Sequence, residues 1–539
     1  MARASTRTRL AALSAAAAWA ACPQPARAAL TENLTTSVTA MALGNAVTAD
    51  PPGLDSIHFN PAGLARMTGD SESFSVFGAS IRSNAHFSAP EGFDIGGWTE
   101  DPVNGTSTGK LRQAMYVPIY GMPGWRLPGV VIPGLAMSFN KKGSPFTFGT
   151  GSYMAQAMSI DRTTDVNDPA RFQGRQLQLQ RLVYAAPSVG YKYSDTLRFG
   201  VSVPIAHAAF VIDTDMRFPN TLLGIVGKLQ QGWCPDGGGN ILDTLGFGLC
   251  GGGKDGMISP FKKAANMRLE MTAPFDPTIN LGVLWEPDPR FALGAVYQGG
   301  SQTQYSGTYQ FTAEPMLRSF INGLNSGLLG PIAGAVLGFP TSIPAVQKGN
   351  LTATIPFPTH IQVGVKLKPI KYVQLNVDAS YARWNQWNSL TFQFDQSIKL
   401  LEIARLYGVP DSSKLTIPRD YKSVVNFGYG LQLFPTEKLT LRFGFEPRKS
   451  SIPADKIDLI APLPDTKLYS LGLNYKLTPN SDISLTGSYM VGHFNVPANT
   501  DCNINCNNFL NVIYNPYAGL DVGGDFRVRY FGMNYSRRF

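Results

Sequence analysis

Apolar and polar residues alternate along this chain in segments of roughly ten residues, beginning near residue 72. The segments VQLNVDAS (373–380), IQVGVKL (361–367) and LTLRFGF (439–445) show the pattern, and LYSLGLNYKL (468–477) and DISLTGSYMV (482–491) repeat it. Alternation with a period of two places successive side chains on opposite faces of a β-strand. Segments of this length predict strands that face lipid on one side and a lumen on the other.

The connections between these segments alternate in length. Tight turns fall at 192–196, 286–290, 368–371, 434–438 and 477–482, and longer connections lie between them. This alternation is expected when one end of a barrel faces the periplasm and the other faces the outside. The prediction is an all-β membrane protein, a transmembrane barrel of fourteen antiparallel strands over residues 71–539. The predicted strands are 72–84, 111–121, 134–142, 174–191, 196–212, 266–286, 289–311, 350–368, 371–394, 419–434, 437–449, 466–477, 481–494 and 525–539.

Composition agrees with a barrel and excludes a bundle of membrane helices. Charged residues are 15% of the chain, below the globular norm of about 25%, and mean hydropathy is −0.06. The longest uncharged stretch, 319–347, is interrupted by Pro331, Pro340 and Pro344 and predicts a hydrophobic loop with short helices. The alternative is a soluble pair of β-sandwiches. It is disfavoured because the tight turns share one end and the chain ends on Phe539.

The first 28 residues have the organisation of a secretory signal peptide. The basic start MARASTRTR precedes an Ala/Leu run, and Ala26-Arg27-Ala28 forms a small-x-small cleavage site. A cut near Ala20 is the alternative, and lipidation at Cys22 is disfavoured because Trp19 suits a lipoprotein signal poorly. The prediction is an exported outer-membrane protein that begins near residue 29.

Four cysteines remain after this segment, in two local pairs. In an exported protein they predict the disulfides Cys234–Cys250 and Cys502–Cys506. Zinc ligation is the alternative, but only the second pair has a suitable spacing.

Several function classes find no support in the residues. Lysines and arginines do not cluster with aromatic residues, so nucleic acid is not a predicted partner. The histidines are scattered, no G-x-S-x-G motif occurs, and the glycine runs PDGGGN (235–240) and CGGGKDG (250–256) are interpreted as flexible loop. The prediction is a protein that is not an enzyme and holds neither a metal nor a cofactor.

Residues 29–70 precede the first predicted strand and are too apolar for a free tail, so they predict a plug inside the barrel. Within them, GNAVTADPPGLDSIHFNPAGLARM (44–67) contains the motif Asn60-Pro61-Ala62-Gly63-Leu64. This stretch resembles the N-terminal hatch of the FadL/TodX-type outer-membrane transporters. The resemblance extends in architecture to the leader, the partly helical hatch, fourteen strands and the terminal phenylalanine.

The resemblance implies passive uptake of long-chain fatty acids or similar hydrophobic compounds by a monomer. Outer loops would capture the compound, an inner pocket would receive it, and it would leave sideways beside a kinked third strand. Outer-membrane lipid and lipopolysaccharide would surround the protein, and Phe539 would present the signal read by the outer-membrane assembly machinery. The alternatives are a general or aromatic-hydrocarbon channel, and a surface adhesin or phage receptor.

The outer loops carry a hydrophobic signal of their own. The longest connections, near 213–265 and 312–349, contain the apolar segments FPNTLLGIVGKL (218–229) and LNSGLLGPIAGAVLGFPTSI (324–343). Exposed apolar surface usually marks a binding site. These segments predict a landing surface for a hydrophobic compound, or else they pack together and cap the barrel.

Inward parity on the strands selects Arg198, Lys366, Arg442 and Lys476. Arg442 and Lys366 are the candidates for contact with a fatty-acid carboxylate. The alternative is that they form ion pairs, Arg442 with Glu446 or with hatch acids such as Asp50 and Asp55. A neutral hydrocarbon would need no cation.

The lateral exit is predicted on the strand expected third in the chain, GLAMSFNKKGSP (134–145). Gly143 and Pro145 could interrupt pairing there, or they could mark the ordinary end of that strand.

Overall fold

The computed structural model describes residues 33–116, 126–234, 241–246, 248–337, 340–404, 409–460, 462–507 and 515–539. Fourteen antiparallel strands form one closed barrel, in which the last strand pairs with the first. The predicted signal peptide and the glycine run 235–240 lie outside the described residues. Within the described part of the chain, no helix is long and apolar enough to cross a membrane.

Seven of the fourteen strands are broken near the middle into two segments, and the strands are numbered here along the chain. They are β1 Ser71–Ser88, β2 Val130–Phe139, β3 Phe146–Asp161, β4 Gln176–Ala185 with Ser188–Lys192, β5 Leu197–Ser202 with Ile205–Met216, β6 Ala265–Pro277 with Asn280–Asp288, β7 Phe291–Gln298 with Ser301–Ala313, β8 Val346–Phe357 with His360–Ile370, β9 Val373–Ala382 with Ser389–Phe394, β10 Lys414–Pro418 with Val424–Leu433, β11 Leu439–Arg448, β12 Thr466–Thr478, β13 Ser481–Val496 and β14 Asp521–Arg538.

The alternation of short and long connections is present as predicted. All five predicted tight turns join consecutive strands at one end of the barrel, which is the periplasmic end by the usual orientation. At the other end, the connection 162–175 contains helix α3 Arg171–Gly174. The connections 217–264 and 314–345 contain helices α4 Thr221–Trp233, α5 Ile241–Leu245, α6 Pro315–Leu324 and α7 Gly330–Leu337. The side chain of Asn220 caps α4 by accepting a hydrogen bond from the Leu222 amide at 2.8 Å.

The structure corrects the prediction near the second and third strands. Of the predicted strand 111–121, residues 117–121 lie outside the described residues, and 111–116 belong to no barrel strand; Ala114–Tyr116 pairs with Arg126–Pro128 in a separate two-stranded sheet. The third strand, Phe146–Asp161, was missed because Gly149, Gly151 and several small residues dilute its alternation. The predicted number of strands is right only because one false strand replaced one missed strand.

Short helical turns between residues 33 and 70 lie inside the barrel, and these residues are called the hatch here. They are helix α1 Val38–Ala42, the 3-10 turn Gly53–Asp55, helix α2 Ser56–Phe59 and the 3-10 turn Pro61–Arg66. The side chain of Ser37 caps α1, and that of Asn60 caps the last turn by accepting from the Ala62 amide at 3.2 Å. These caps satisfy backbone amides at the start of two of the four helical turns.

The hatch rests directly on the backbone of the wall at seven inward glycines, called the glycine belt. An ideal Cβ at each position would lie less than 3.0 Å from a hatch atom. The belt consists of Gly190, Gly200, Gly282, Gly294, Gly428, Gly444 and Gly472. Gly200 pairs with both Gly190 and Gly282, so three neighbouring strands offer bare backbone at one level.

The outer loops are joined by a buried ion pair above the lumen. Arg217 and Asp101 are both fully buried, and their nitrogen and oxygen atoms approach to 2.8 Å. The guanidinium of Arg217 also lies 4.8 Å from the Phe172 ring and 5.3 Å from the Tyr517 ring. These residues come from four different outer loops, so one contact group connects the loops into a cap.

Candidate functional site

The barrel wall is incomplete between β2 and β3. Their pairing runs from Phe139 and Phe148 only as far as Leu135 and Ser152, although both strands continue toward the outside. Pro133 lies two residues beyond the last pair and has no amide hydrogen to donate. The wall therefore has a lateral gap beside β3.

The hatch lies against the inner side of this gap. The hydroxyls of Thr35 and Thr36 donate to the Met154 carbonyl at 3.4 and 3.5 Å. A small cavity of about 20 Å³ is bordered by hatch residues and by both edges of the gap. Its lining comprises Thr36, Leu54, Asp55, Ile57, His58, Ser73, Ser75, Gly134, Leu135, Ala136, Gly151, Ser152 and Tyr153. Hatch residues therefore border the gap from the inner side.

The residues predicted to form the exit lie elsewhere. Gly143 and Pro145 belong to the turn between β2 and β3, and Gly143 has a φ of +81°. They mark the end of a strand, which the sequence left as the alternative. The segment 134–145 belongs in part to the second barrel strand, β2, which ends at Phe139, so its interpretation as the third strand is wrong.

A second cavity of about 70 Å³, called the hatch-side pocket, lies at the level where β4 to β8 are broken. Residues from those breaks, including Pro204, Thr278, Gly299 and Pro358, line it. The other lining residues are Asn33, His58, Tyr153, Ala155, Gln156, Arg181, Val183, Asn280, Gln298, Phe357 and His360. Nine of the side chains on these two lists carry polar atoms, so the pocket suits a polar group.

Arg181 and His58 both line this pocket, and each is held by its own contacts. Arg181 Nε donates to Asp276 Oδ2 at 2.8 Å, and its guanidinium lies 5.2 Å from the Phe357 ring. His58 contacts Tyr153 Oη at 3.2 Å and Asn33 Oδ1 at 2.7 Å. Burial lowers the pKa of His58 from 6.5 to about 3, so this imidazole is neutral at physiological pH.

Lys366 lies inside the barrel, as its parity predicted, but in an ion network that fastens the hatch to the wall. Its amine contacts Glu286, which also accepts from Arg66 at 3.1 Å and from Arg198 at 3.3 Å. Arg66 of the hatch reaches Asp50 at 2.9 Å. Lys366 is thus engaged with an acid, as one of the alternatives for this residue anticipated.

Arg442 lies apart from Lys366, on the periplasmic side of the hatch. Its guanidinium contacts Gln432 at 3.2 Å and Ser484 at 3.4 Å. Glu446 does not pair with it, but instead accepts from Asn45 of the hatch and from Arg448, both at 2.8 Å. The predicted inward direction of Arg442 is correct, and the alternative ion pair with Glu446 is wrong.

Arg442 lines the largest of the described cavities, about 490 Å³ in volume, which we call the periplasmic vestibule. Hatch residue Asp55 lines both this vestibule and the small cavity at the gap. Burial raises the pKa of Asp55 from 3.8 to about 6, against opposing effects of the Ser37 hydrogen bond and the charge of Arg442.

Exposed apolar side chains follow the helices of the outer loops 217–264 and 314–345, and together they are called the outer apolar patch. Leu229 on α4 is 51% exposed and Ile332 on α7 is 58% exposed. The patch consists of Ile225, Leu229, Trp233, Ile241, Leu245, Leu328, Leu329 and Ile332. The loops touch where the Leu329 amide donates to the Gly246 carbonyl at 3.0 Å, so the patch belongs to one joined surface.

The cysteines pair as predicted. Cys234 and Cys250 form a disulfide with Cα atoms 5.4 Å apart, and Cys502 and Cys506 form another with Cα atoms 4.4 Å apart. The run 250–256 was interpreted as flexible loop, but it packs against α6. A Cβ at Gly252 would collide with the backbone of Ser319. The absence of a side chain at Gly252 therefore lets the backbone of this loop lie close to α6.

Sequence reasoning missed the residues of the hatch-side pocket. In QLQLQRLV (176–183), Arg181 shares a face with Leu177, Leu179 and Val183, so one cation stands on an apolar, lumen-facing side. This single charged residue on an otherwise apolar strand face is the feature of the sequence that could have indicated the pocket. Among the described residues, no group of three or more His, Cys, Asp and Glu side chains is placed to hold a metal ion.

Comparisons with known proteins agree with this architecture. A family model described as "Outer membrane protein transport protein (OMPP1/FadL/TodX)" matches residues 15–539. The long-chain fatty acid transport protein of Escherichia coli O6:H1 (strain CFT073) is 24% identical over 215 residues, which are 40% of this chain and 42% of that protein. The match thus spans less than half the length of that relative.

Two solved structures illustrate the likeness of fold. A Pseudomonas aeruginosa FadL homologue has a TM-score of 0.65 at 16% identity, with 95% of this chain and 100% of that chain covered. The P. putida toluene transporter TodX has a TM-score of 0.57 at 13% identity, with 93% and 97% covered. The match of the family model over nearly the whole chain shows that this protein belongs to the OMPP1/FadL/TodX family of outer-membrane transport proteins.

Proposed function

We propose that this protein takes up long-chain fatty acids by passive transport. The outer apolar patch would capture the alkyl chain, the hatch-side pocket would receive the carboxylate, and the lateral gap would release the molecule into the membrane. The observation that carries the cargo assignment is the polar character and small size of the hatch-side pocket.

The size of this pocket favours a carboxylate over an aromatic ring. An apolar cavity of about 150 Å³ holds benzene in a protein interior. The hatch-side pocket has about 70 Å³, and nine of its fifteen lining residues have polar side chains. A carboxylate head group matches both its volume and its hydrogen-bonding character.

Arg181 is the candidate for contact with that carboxylate. It lines the pocket on the outer side of the hatch, where an incoming molecule arrives first. Arg442 faces the periplasmic vestibule and would act only after the hatch is passed, while Lys366 is engaged with Glu286. The alkyl chain would lie toward Phe357 and the other apolar side chains of the outer half of the lumen.

The lateral route is supported by the gap beside β3. The hatch borders the gap directly, whereas the periplasmic vestibule is lined largely by polar and charged side chains. An alkyl chain would lose favourable burial in such a vestibule but would keep it in lipid.

The test compares two cargoes in a Gram-negative strain that lacks its own transporter. The double variant Arg181→Gln/Asp276→Asn removes both buried charges, so neither is left unpaired. We expect the protein to restore oleate uptake, and the double variant to lower it by about tenfold at low oleate while toluene uptake is unchanged. Surface expression of each variant serves as the control.

Two outcomes would contradict the proposal. If wild-type protein is well expressed and carries toluene but not oleate, the cargo is an aromatic hydrocarbon and the polar pocket is incidental. If the double variant carries oleate as well as wild type does, Arg181 does not bind the carboxylate.

A further inference from the structure

Three arginines lie together on the outer face of the barrel, where the first and last strands meet. Arg82 of β1 and Arg527 and Arg529 of β14 line a surface pocket of about 30 Å³ together with Ser80 and Tyr489. No acidic side chain is among the lining residues. The strand register brings these charges together, since they are separated by more than 440 positions in the sequence.

The arrangement places like charges opposite each other. Arg82 faces Arg527 directly across the two strands, and Arg529 is the next outward residue on β14. Directly opposed side chains have Cβ atoms about 4.5–5.5 Å apart, and like charges at that distance repel. The cluster therefore needs a negative partner.

The protein itself supplies little compensation. Arg527 donates to Asp525 at 2.9 Å. Within the residues that the structure describes, Arg82 and Arg529 have no acidic side chain within the 4.0 Å limit of an ion pair. Two of the three positive charges thus remain available to a ligand.

The height of the three arginines on the barrel wall indicates which layer of the membrane surrounds them. Phe531 and Met533 follow toward the periplasm on the same face and are 64% and 41% exposed, as expected for side chains in lipid. From Arg537 near the periplasmic end, Arg529 and Arg527 lie roughly 20 and 25 Å higher, at a rise of about 3.3 Å per residue and a tilt of about 40°. The apolar band of such barrels is about 25 Å tall.

The cluster therefore stands at the outer edge of the apolar band, in the head-group layer of the outer leaflet. We propose that Arg82, Arg527 and Arg529 bind the phosphate groups of lipopolysaccharide. Guanidinium groups bind phosphate oxygens through paired, charge-assisted hydrogen bonds. Exposed Phe531, Met533 and Leu485 lie directly below and would contact the acyl chains of the same molecule.

The test measures binding of hexa-acylated, bis-phosphorylated lipid A to the purified full-length barrel by native mass spectrometry. The variant is Arg82→Gln/Arg529→Gln, and the matched control is Arg537→Gln, an arginine of the same strand near the periplasmic end. We expect binding to weaken by about tenfold in the double variant and to stay unchanged in the control. Heat-dependent migration in gels verifies that each barrel is folded.

A second measurement uses only the wild-type protein, so its result does not depend on whether a variant folds. Wild-type protein is titrated with dephosphorylated lipid A and with phosphatidylglycerol, and both should bind about tenfold more weakly than the bis-phosphate. Equal binding of dephosphorylated lipid A would overturn the proposal. Equal binding of phosphatidylglycerol, or an unaffected double variant, would also overturn it, because the site would then not recognise lipopolysaccharide phosphate.

Discussion

The glycine belt holds the hatch through backbone contact. At Gly200 a methyl group would collide with the backbone of Pro61 and Ala62, and at Gly282 it would meet Asn60. Asn60 also donates to the Thr48 carbonyl at 2.8 Å and to the Val283 carbonyl at 3.1 Å. The Asn-Pro-Ala turn is therefore fixed to β5 and β6, and this part of the hatch is its anchor.

Substituting a glycine of the belt should weaken the attachment of the hatch to the barrel wall. We expect Gly200→Ala to destabilise hatch seating by about 1–3 kcal/mol, the usual effect of overpacking. Limited proteolysis of the hatch in folded barrels measures the effect. Gly487→Ala is the matched control, since a Cβ there meets nothing within 4 Å. Equal protease resistance in both variants would show that the hatch is not seated on the belt.

Some residue-level features could be predicted from the sequence and others could not. The inward direction of Arg442 followed from parity alone. Its pairing with Glu446 could have been excluded, because residues four apart in a strand are about 13 Å apart. The contact between Arg66 and Glu286 spans 220 positions, and no local pattern encodes such a pairing.

At the scale of elements, the hatch combines a fixed part with a titratable part. Asp55 lies between α1 and α2, accepts a hydrogen bond from Ser37 and borders both the gap and the vestibule. Its pKa is raised to about 6, while that of His58 is lowered to about 3. The two groups therefore respond to acid in opposite directions.

The direction in which pH changes the stability of the hatch depends on whether the folded or the locally unfolded hatch binds the additional proton. Between about pH 7 and pH 5, the folded hatch gains a proton at Asp55, which favours the folded state, whereas the unfolded hatch gains one at His58, which opposes it. We expect Asp55→Asn to make the hatch less protected at pH 5 than at pH 7, and His58→Gln to make it more protected. Hydrogen-exchange protection factors of α1 measure this; identical pH profiles in both variants would refute it.

Element prediction failed where the alternating pattern was weakest. β3 carries the bulge between Met154 and Gln156 and its small residues, so the strand next to the gap gives the poorest strand signal. The strands far from the gap were predicted within a few residues. Irregular sequence and the functional opening occur at the same place because an interrupted strand cannot keep a regular pattern.

The whole molecule is closed at both ends by different means. The outer cap depends on side-chain contacts among loops, and the hatch depends on backbone contacts and ion pairs with the wall. The pairing of the wall is interrupted beside β3, and it also stops at Tyr429 and Phe445 between β10 and β11, although both strands continue. Barrel type was predictable because alternation and turn length report on the whole chain. The strand number was right only through two compensating errors, and the position of the opening depends on a local interruption that no repeated pattern marks.

Removing part of the hatch tests its role in the whole barrel. Deleting residues 29–55 removes α1 and the Asp55 turn but leaves the anchored Asn60–Arg66 turn. A barrel of fourteen strands is wide enough to conduct ions when unplugged, so we expect larger conductance steps in planar bilayers. The full-length protein is the control. Unchanged conductance would show that residues 29–55 do not block the lumen.

The contact group at Arg217 also has a consequence for biogenesis. Asp101 lies in the loop after the first strand, and Tyr517 lies in the loop before the last strand. The cap can therefore be completed only when the final strand has joined the first, late in insertion. Until then the surface loops are not joined by the contacts of Arg217 and are accessible to extracellular proteases. Resistance of these loops to proteolysis therefore indicates that β14 has paired with β1.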